Sequence, residues 1–374
     1  MKTVLLIGAG EGLGQMVVEC FMELPPDEYQ IVLGDLDPPK LETLARKSGG
    51  RPRQVNARER ESLRNALAGV DVVVVTLKQP APLIQEVCTE AGIPSLDVAV
   101  FGEHVRKVRA LPSIASGSPS LLLAGFFPGL SGILVNEVIG GFDNVDRVDL
   151  SLIQNTNARV GLTGIRDMLH ILTRPVPDLR GSGAIRGFSQ KRRVKIPGEA
   201  WLPVRRIDHY EEHMLKEKWP EVTFSSWTGW NRPTFSAMLS LLNRVGLLSW
   251  LAGSRGNLLE LALRHRPDRG EETWLMVEAS GKQDGRVTKR GLALRAPSDY
   301  GTAARVAVGL IPHLLRYPGR GVLFPFEVVT MEAILPALGD KLRLERWERV
   351  VKDCERPWRA ARDCRFVNHG TMVK

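Results

Sequence analysis

The run Gly8-Ala9-Gly10-Glu11-Gly12-Leu13-Gly14 has the composition of a phosphate cradle. Glycines permit a tight turn and let a pyrophosphate approach the backbone. An apolar stretch, Met1–Ile7, precedes the run, and Gln15–Leu24 continues it with helical periodicity. Strand, glycine turn and helix together place free N–H groups and the positive end of a helix dipole at one point. About twenty residues past the glycines, Asp35 ends the apolar run Gln30–Asp35, where a carboxylate accepts hydrogen bonds from adenosine ribose hydroxyls. Asp37 is a second acid on the same face. A carboxylate here repels a 2′-phosphate, and Leu36 is not the arginine that accommodates one, so NAD is favoured over NADP. Lys40, Arg46 and Lys47 are the cations that could reverse the preference. Cofactor contacts are expected from Gly8, Gly10, Glu11, Gly12, Leu13, Asp35 and Leu36.

The spacing Gly8-x3-Gly12-x-Gly14 is that of short-chain dehydrogenases, but their Tyr-x-x-x-Lys pair is missing. None of Tyr29, Tyr210, Tyr300 and Tyr317 has a lysine four residues on. Proton chemistry must come from elsewhere. Lys78 follows the strand-like run Asp71–Thr76, at the end where open α/β sheets bind ligands, and a partly desolvated lysine there could act as an acid or bind a carboxylate. Thr76, Leu77 and Gln79 share that segment, with Gln79 placed for a nicotinamide ribose. Arg166, Asp167 and His170 share one face of a helical stretch. Arg166 is the best carboxylate clamp because its guanidinium fork binds two oxygens, and His170 could relay a proton. Asn155 and Asn157 precede that helix. Trp219, Trp227 and Trp230, with Lys216, Lys218, Arg232 and the run Lys191–Lys195, could stack bases and hold phosphates, or touch a membrane or partner subunit. A dimer interface or a core strand with a basic edge is the preferred reading of that cluster.

Behind these residues, 1–125 alternates strand and helix: Pro39–Ser48, Glu59–Ala68 and Pro82–Ala91 as helices, and Pro52–Val55, Asp71–Thr76, Pro94–Ala99 and Ser120–Gly125 as strands. That alternation predicts a Rossmann domain with a doubly wound parallel sheet. From 126 to 317 longer strands with polar alternation predict a mainly antiparallel sheet: Val145–Asn157, Ala184–Pro197, Glu221–Thr228 and Thr273–Arg295. The last contains the hairpin turn Gln283-Asp284-Gly285-Arg286. Helices are expected at 162–172, 233–251 and 300–315. Residues 318–350 are expected to return a helix to the first domain, and 351–374 to form an arm. The class is thus α/β with a second α/β domain. At 374 residues, with 43% apolar and 25% charged residues, the chain suits two globular domains. A net charge of +9 favours an anionic substrate, or loose attraction to phosphates or acidic lipid, with a solvated arginine-rich surface the preferred reading. Four scattered cysteines, with no C-x-x-C pair, suit a reducing cytoplasm and no metal site. Neither a leader peptide nor a transmembrane segment is expected.

Several blocks in order resemble the saccharopine dehydrogenase-like (saccharopine reductase-like) family. They are Val4–Gly10, Asp71–Val75 with the Pro80 loop, Cys88–Asp97, Pro128-Gly129-Leu130-Ser131, Tyr300–Ala303 and Gly321–Glu327. Leu13, where a third glycine is usual, and Ser95, where tyrosine is usual, depart from its pattern. The resemblance implies NAD(P)-linked hydride transfer at an imine, secondary amine or carbonyl of a small anionic amino-acid-like substrate. It makes Asp97 an acid/base candidate beside Lys78, and brings Pro128 and Gly129 to the cofactor. Arg166, His170 and Asn155 are then the substrate anchors, and a homodimer without specific nucleic-acid binding is expected. The rival expectation is a scaffold or sensor that binds a dinucleotide without catalysis.

Overall fold

The computed structural model describes residues 1–10, 12–115, 117–178, 183–198, 200–253 and 265–351. Glu11 and the arm from 352 onward, with Cys354 and Cys364, lie outside them. The chain divides into two units, one of residues 1–133, 158–161 and 297–340, the other of 134–157, 162–296 and 341 onward.

The first unit opens with β1 (Lys2–Ile7), α1 (Leu13–Met22), β2 (Tyr29–Asp35), α2 (Pro38–Ser48), β3 (Arg51–Gln54) and α3 (Arg60–Ala66). It continues with β4 (Val72–Val75), α4 (Leu83–Ala91), β5 (Ser95–Asp97), α5 (Gly102–Arg109) and β6 (Ser120–Leu121). Helix α6 (Leu130–Ile139) carries the chain into the second unit. There follow β7 (Asn144–Gln154), α7 (Leu162–Thr173), β8 (Val176–Pro177), β9 (Ala184–Ile185), β10 (Lys191–Lys195), β11 (Trp201–Ile207) and α8 (Glu211–Lys218). Next come β12 (Thr223–Trp230), α9 (Pro233–Arg244), α10 (Leu247–Gly253), β13 (Thr273–Gln283) and β14 (Arg286–Ala296). The first unit resumes with α11 (Asp299–Arg316), β15 (Val322–Leu323), α12 (Pro325–Val328) and α13 (Met331–Leu338), and β16 (Arg343–Val350) belongs again to the second.

The first sheet has the order β15-β6-β5-β4-β1-β2-β3, and all its pairs are parallel. A parallel strand at its centre is covered on both faces, which is why β4 is an unbroken β-branched run, Val72–Val75, fully buried. Leu5, Ile7, Val32, Val73 and Val75 meet Ile84 and Val87 of α4 in its core. The closing helix α11 is capped by the Ser298 hydroxyl, which accepts from the Gly301 amide at 3.2 Å, and it packs on α1 and α13.

The second sheet has the order β10-β11-β12-β7-β13-β14-β16, antiparallel except for β12 with β7. The expected hairpin joins β13 to β14. Asp284 and Gly285 both have positive φ (50° and 71°), as a type I′ turn requires, and Gln283 pairs with Arg286. Both edge strands are strongly charged, Lys-Arg-Arg-Val-Lys in β10 and Arg-Leu-Glu-Arg-Trp-Glu-Arg-Val in β16. Charge on an edge resists pairing with other chains.

Three expectations are corrected here. The return to the first unit begins at 297, not 318, because α11 belongs with α1. The first unit runs to 133, beyond the expected boundary at 125. Residues 343–350 are a strand of the second sheet, not part of a returning helix: Trp347 lies opposite Gly291 of β14, whose missing side chain leaves room for the indole.

Arg206, fully buried on β11, makes a bidentate pair with Glu212 of α8 at 2.6 and 2.8 Å. On β7, Asp149 is 6% exposed and is held by Arg192 at 2.6 Å and Arg147 at 2.8 Å, by the Ser225 hydroxyl and by the Trp227 indole at 3.2 Å. Burial alone would raise its pKa, but the two guanidinium groups and the hydrogen bonds outweigh it and hold the carboxyl well below the usual range. A depressed pKa stabilises the fold fully above the unfolded value, near 3.9, and that contribution is lost as pH falls below it. Asp149→Asn should therefore cost about 3 kcal/mol in urea unfolding at neutral pH, the order expected when one partner of a buried pair is removed. The gap to the parent should stay level between pH 8 and pH 5 and narrow below about pH 4; a gap that widens on acidification excludes this account.

Candidate dinucleotide and proton-transfer site

The glycine turn is fastened to β2 by backbone bonds. Gly8 and Ala9 both donate to the Gly34 carbonyl, at 2.9 and 3.2 Å. Gly10 N–H donates to Asp35 Oδ2 at 3.0 Å, and Leu36 N–H to Asp35 Oδ1 at 2.8 Å. Gln15 returns from α1 to the Gly10 carbonyl at 2.6 Å. Each glycine answers a separate demand. Gly8 and Gly12 have positive φ, 93° and 54°. A Cβ on Gly10 would lie 2.8 Å from Asp35 Oδ2, and one on Gly14 would overlap the Gly8 carbonyl oxygen. Gly14, not residue 13, thus supplies the close helix-to-turn approach, and Leu13 is an ordinary first helical residue. Helix α1 has no side-chain cap and no acid in its first turn. Leu36, beside Asp35, is 61% exposed, and Asp37 and Lys40 make only a loose pair at 3.8 Å. Thr76 closes the other side, its hydroxyl donating to the Gly8 carbonyl at 3.1 Å, with the half-buried Leu77 next to it.

A second cluster forms at the ends of β4 and β5. Asp97 is 1% exposed. Its Oδ2 accepts from Gln85 Nε2 at 2.6 Å and Gln79 Nε2 at 3.1 Å and lies 3.0 Å from His104 Nε2, while Oδ1 accepts from Ala99 N–H at 2.7 Å. Gln79 also donates to Gln85 Oε1 and accepts from the Ile84 amide, so its side chain ties the loop after β4 to α4. Lys78 is exposed, its Nζ 4.4 Å from the centroid of Phe101. His104 and Gln85 escape a sequence reading. His104 lies on the short, strongly charged α5, and only folding brings it to Asp97. Pro128 and Gly129 are buried in the turn before α6, where a Cβ on Gly129 would overlap the carbonyls of Gly125 and Leu123.

The proposed substrate anchors lie in the second unit. Arg166 and Asp167 are half-buried on α7, and His170 is exposed in its last turn. Asn155 donates to the Glu272 carbonyl at 3.1 Å and accepts from the Asn157 amide at 2.9 Å. Asn157 donates to the carbonyls of Arg266 and Arg269. Both asparagines thus hold the end of β7 to the 265–272 segment. Of the tryptophans in the basic-aromatic cluster, Trp227 and Trp230 are core residues, with Trp227 donating to Asp149 and Ser225. Burial pushes the Cys20 and Cys88 thiols up to about 11 and about 12, so neither supplies a thiolate. Among the described residues no cluster of His, Cys, Asp and Glu could hold a metal, and no helix is long and apolar enough to cross a membrane.

No family model and no curated protein matches the chain. Among solved structures, the apo saccharopine dehydrogenase (L-Glu forming) of Saccharomyces cerevisiae is similar with a TM-score of 0.69 at 15% identity, over 94% of this chain and 100% of that one. The DAP dehydrogenase of C. glutamicum, in complex with DAP, gives a TM-score of 0.48 at 13% identity, over 91% and 96% of the two chains. An engineered D-amino acid dehydrogenase bound to NADP+ gives 0.48 at 12% identity, with the same coverages. The chain therefore has the fold of saccharopine dehydrogenase, as the sequence blocks suggested.

The glycine geometry separates two substitutions. Gly14→Ala drives a methyl into backbone and should cost at least about 2 kcal/mol of stability, in the range of overpacking. Gly12→Ala meets open space, and its cost is conformational alone, about 1–3 kcal/mol for holding φ 54° with ψ −123°, a region that favours glycine. Thermal and urea unfolding of Gly14→Ala check the close approach; a loss below about 1 kcal/mol refutes its assignment to Gly14.

Proposed function

We propose that the protein is an NAD-linked oxidoreductase acting on an imine, secondary amine or carbonyl of a small anionic amino-acid-like compound. The observation that carries the proposal is the cradle itself: an uncapped helix start, glycines without side chains, and Asp35 held by the turn's own amide. The cradle fits a dinucleotide. Gly12 and the start of α1 leave room and N–H groups for a pyrophosphate, and Gly10 fastens the turn to Asp35. Each Asp35 oxygen accepts one backbone bond and keeps a lone pair for a ribose hydroxyl, and Leu36 offers an apolar surface beside it. Bound there, a nicotinamide supplies hydride transfer. The chain must supply the proton and the substrate's counter-charge. Lys78, exposed in the loop after β4, is the proton handler in this reading. Asp97, with every oxygen engaged, acts as a positioning residue through Gln79 and His104. Arg166 binds the substrate carboxylate. The expected cytoplasmic location and homodimer belong to the same reading.

The burial of Asp97 favours a second reading, a dinucleotide-binding scaffold without turnover. Nicotinamide fluorescence with NADH and NADPH tests the cofactor. Asp35→Ser should weaken NADH about tenfold, or 1.4 kcal/mol, and improve NADPH relative to it. A parent that already prefers NADPH overturns the choice of NAD. A panel of keto acids with amino acids tests catalysis. On any substrate that the parent turns over, Lys78→Met should lower kcat about a hundredfold or more with NADH affinity unchanged, the worth of a general acid or base. Unchanged turnover removes Lys78 from the chemistry, and NADH binding without turnover on any pair leaves the scaffold.

A further inference from the structure

Helices α9 and α10 face the second unit with one side only. Ser236, Leu239, Asn243 and Leu248 point inward: Ser236 accepts from the Trp230 amide, and Asn243 donates to the carbonyls of Leu172 and Gly187. The other side carries Met238, Leu241, Val245, Leu247 and Trp250, which are 39–69% exposed. On α9 the exposed positions 234, 237, 238, 241 and 245 recur at helical spacing and form one stripe. Single exposed apolar side chains need no explanation, but five large ones within residues 238–250 do.

The segment that carries this stripe has one sign of charge. No Asp or Glu occurs between Glu221 and Glu260, while Arg232 and Arg244 stand exposed at the two ends of α9. Beside the first turn of α9 is a notch of about 260 Å³, lined by Lys191, Arg205, Thr234, Ser236 and Ala237 among others. Lys191 and Arg205 lie directly opposite each other on β10 and β11. Burial and the nearby Arg244 hold the Arg205 pKa below the ordinary arginine value, so this cation's neighbour is another cation. Ala237 belongs to both the notch and the stripe.

We infer that this face docks on an anionic phospholipid surface, with the apolar stripe and Trp250 in the boundary between headgroups and acyl chains and a lipid phosphate in the Lys191–Arg205 notch. An amphipathic face with arginines at its margins and tryptophan at its tip binds in this way. A second copy fits less well. A two-fold contact on this patch would bring Arg232, Arg244, Lys191 and Arg205 against the same cations, with no acid on the segment to pair them. The inference is independent of the catalytic reading.

Flotation of the full chain with vesicles tests it, comparing neutral phosphatidylcholine with vesicles in which roughly a third of the lipid is phosphatidylglycerol. Binding is expected on the anionic vesicles only, and it should weaken at high salt. Leu241→Glu and Trp250→Ser, both at exposed positions, should each reduce it about tenfold or more while far-UV circular dichroism and the melting temperature hold. The double change Lys191→Glu and Arg205→Glu should remove the preference for anionic lipid. Equal binding to neutral vesicles, or no loss in the folded variants, overturns the proposal. So does a dimer of the parent that Leu241→Glu converts to monomer without vesicle binding by either form.

Discussion

Residue 14 has no side chain, and the first unit is organised by that absence. Helix α1 starts so close to the head of β1 that a Cβ at Gly14 would occupy the position of the Gly8 carbonyl oxygen. Backbone on backbone at this distance fixes where the helix axis points relative to the strand. Once it is fixed, the Gly8 and Ala9 amides find the Gly34 carbonyl, and the Gly10 amide finds Asp35. The glycine turn and the acid at the end of β2 are therefore one hydrogen-bonded object. A change at either end is transmitted through the turn, which is why the four glycines are not interchangeable.

The same unit meets a different constraint at Asp97. A buried carboxylate is tolerated only when its lone pairs are satisfied. Two glutamine amides, a histidine and a backbone amide converge on it from the loop after β4, α4, α5 and its own strand end. The arrangement locks the segment that carries Lys78 while leaving Lys78 itself exposed. The loop after β4 is thus held from below by Gln79, which joins it to both α4 and Asp97.

Much of this was legible in the sequence because the signals are local. The glycine turn, the β-branched run Val72–Val75, the acid at the end of β2 and the Asp-Gly hairpin each state their conformation within a few residues. The outline of the first sheet and the Asp284–Gly285 turn emerged accordingly. What escaped depends on distant partners. Strand β16 has hydrophobic residues at Leu344 and Trp347, a spacing that suits a helix, and its strand identity comes from Gly291, more than fifty residues earlier. His104 has no local feature that distinguishes it from a surface histidine, and it acquires meaning only from Asp97. Asn155 and Asn157 resemble cleft residues by position, yet their amides bind backbone contributed from 265–272. Polar side chains of this kind serve chain geometry as readily as ligands, and residue type does not separate the two uses.

The basic composition also resolves once it is placed. Arg147 and Arg192 neutralise one buried acid, Asp149, and Arg192 additionally lies over the Trp227 ring at 5.1 Å. Lys191, Arg193 and Lys195 charge an edge strand that would otherwise present unpaired backbone to other chains. Arg232 and Arg244, at the two ends of α9, serve neither purpose. They flank apolar side chains and have no acid on their own segment, and burial, with Arg244 adding to it, holds the neighbouring Arg205 pKa down. Like charges gathered without internal compensation destabilise an isolated molecule, and an anionic surface converts that repulsion into attraction. Of these three groups of cations, the one around α9 has no acid on its own segment, and an anionic surface would complete it.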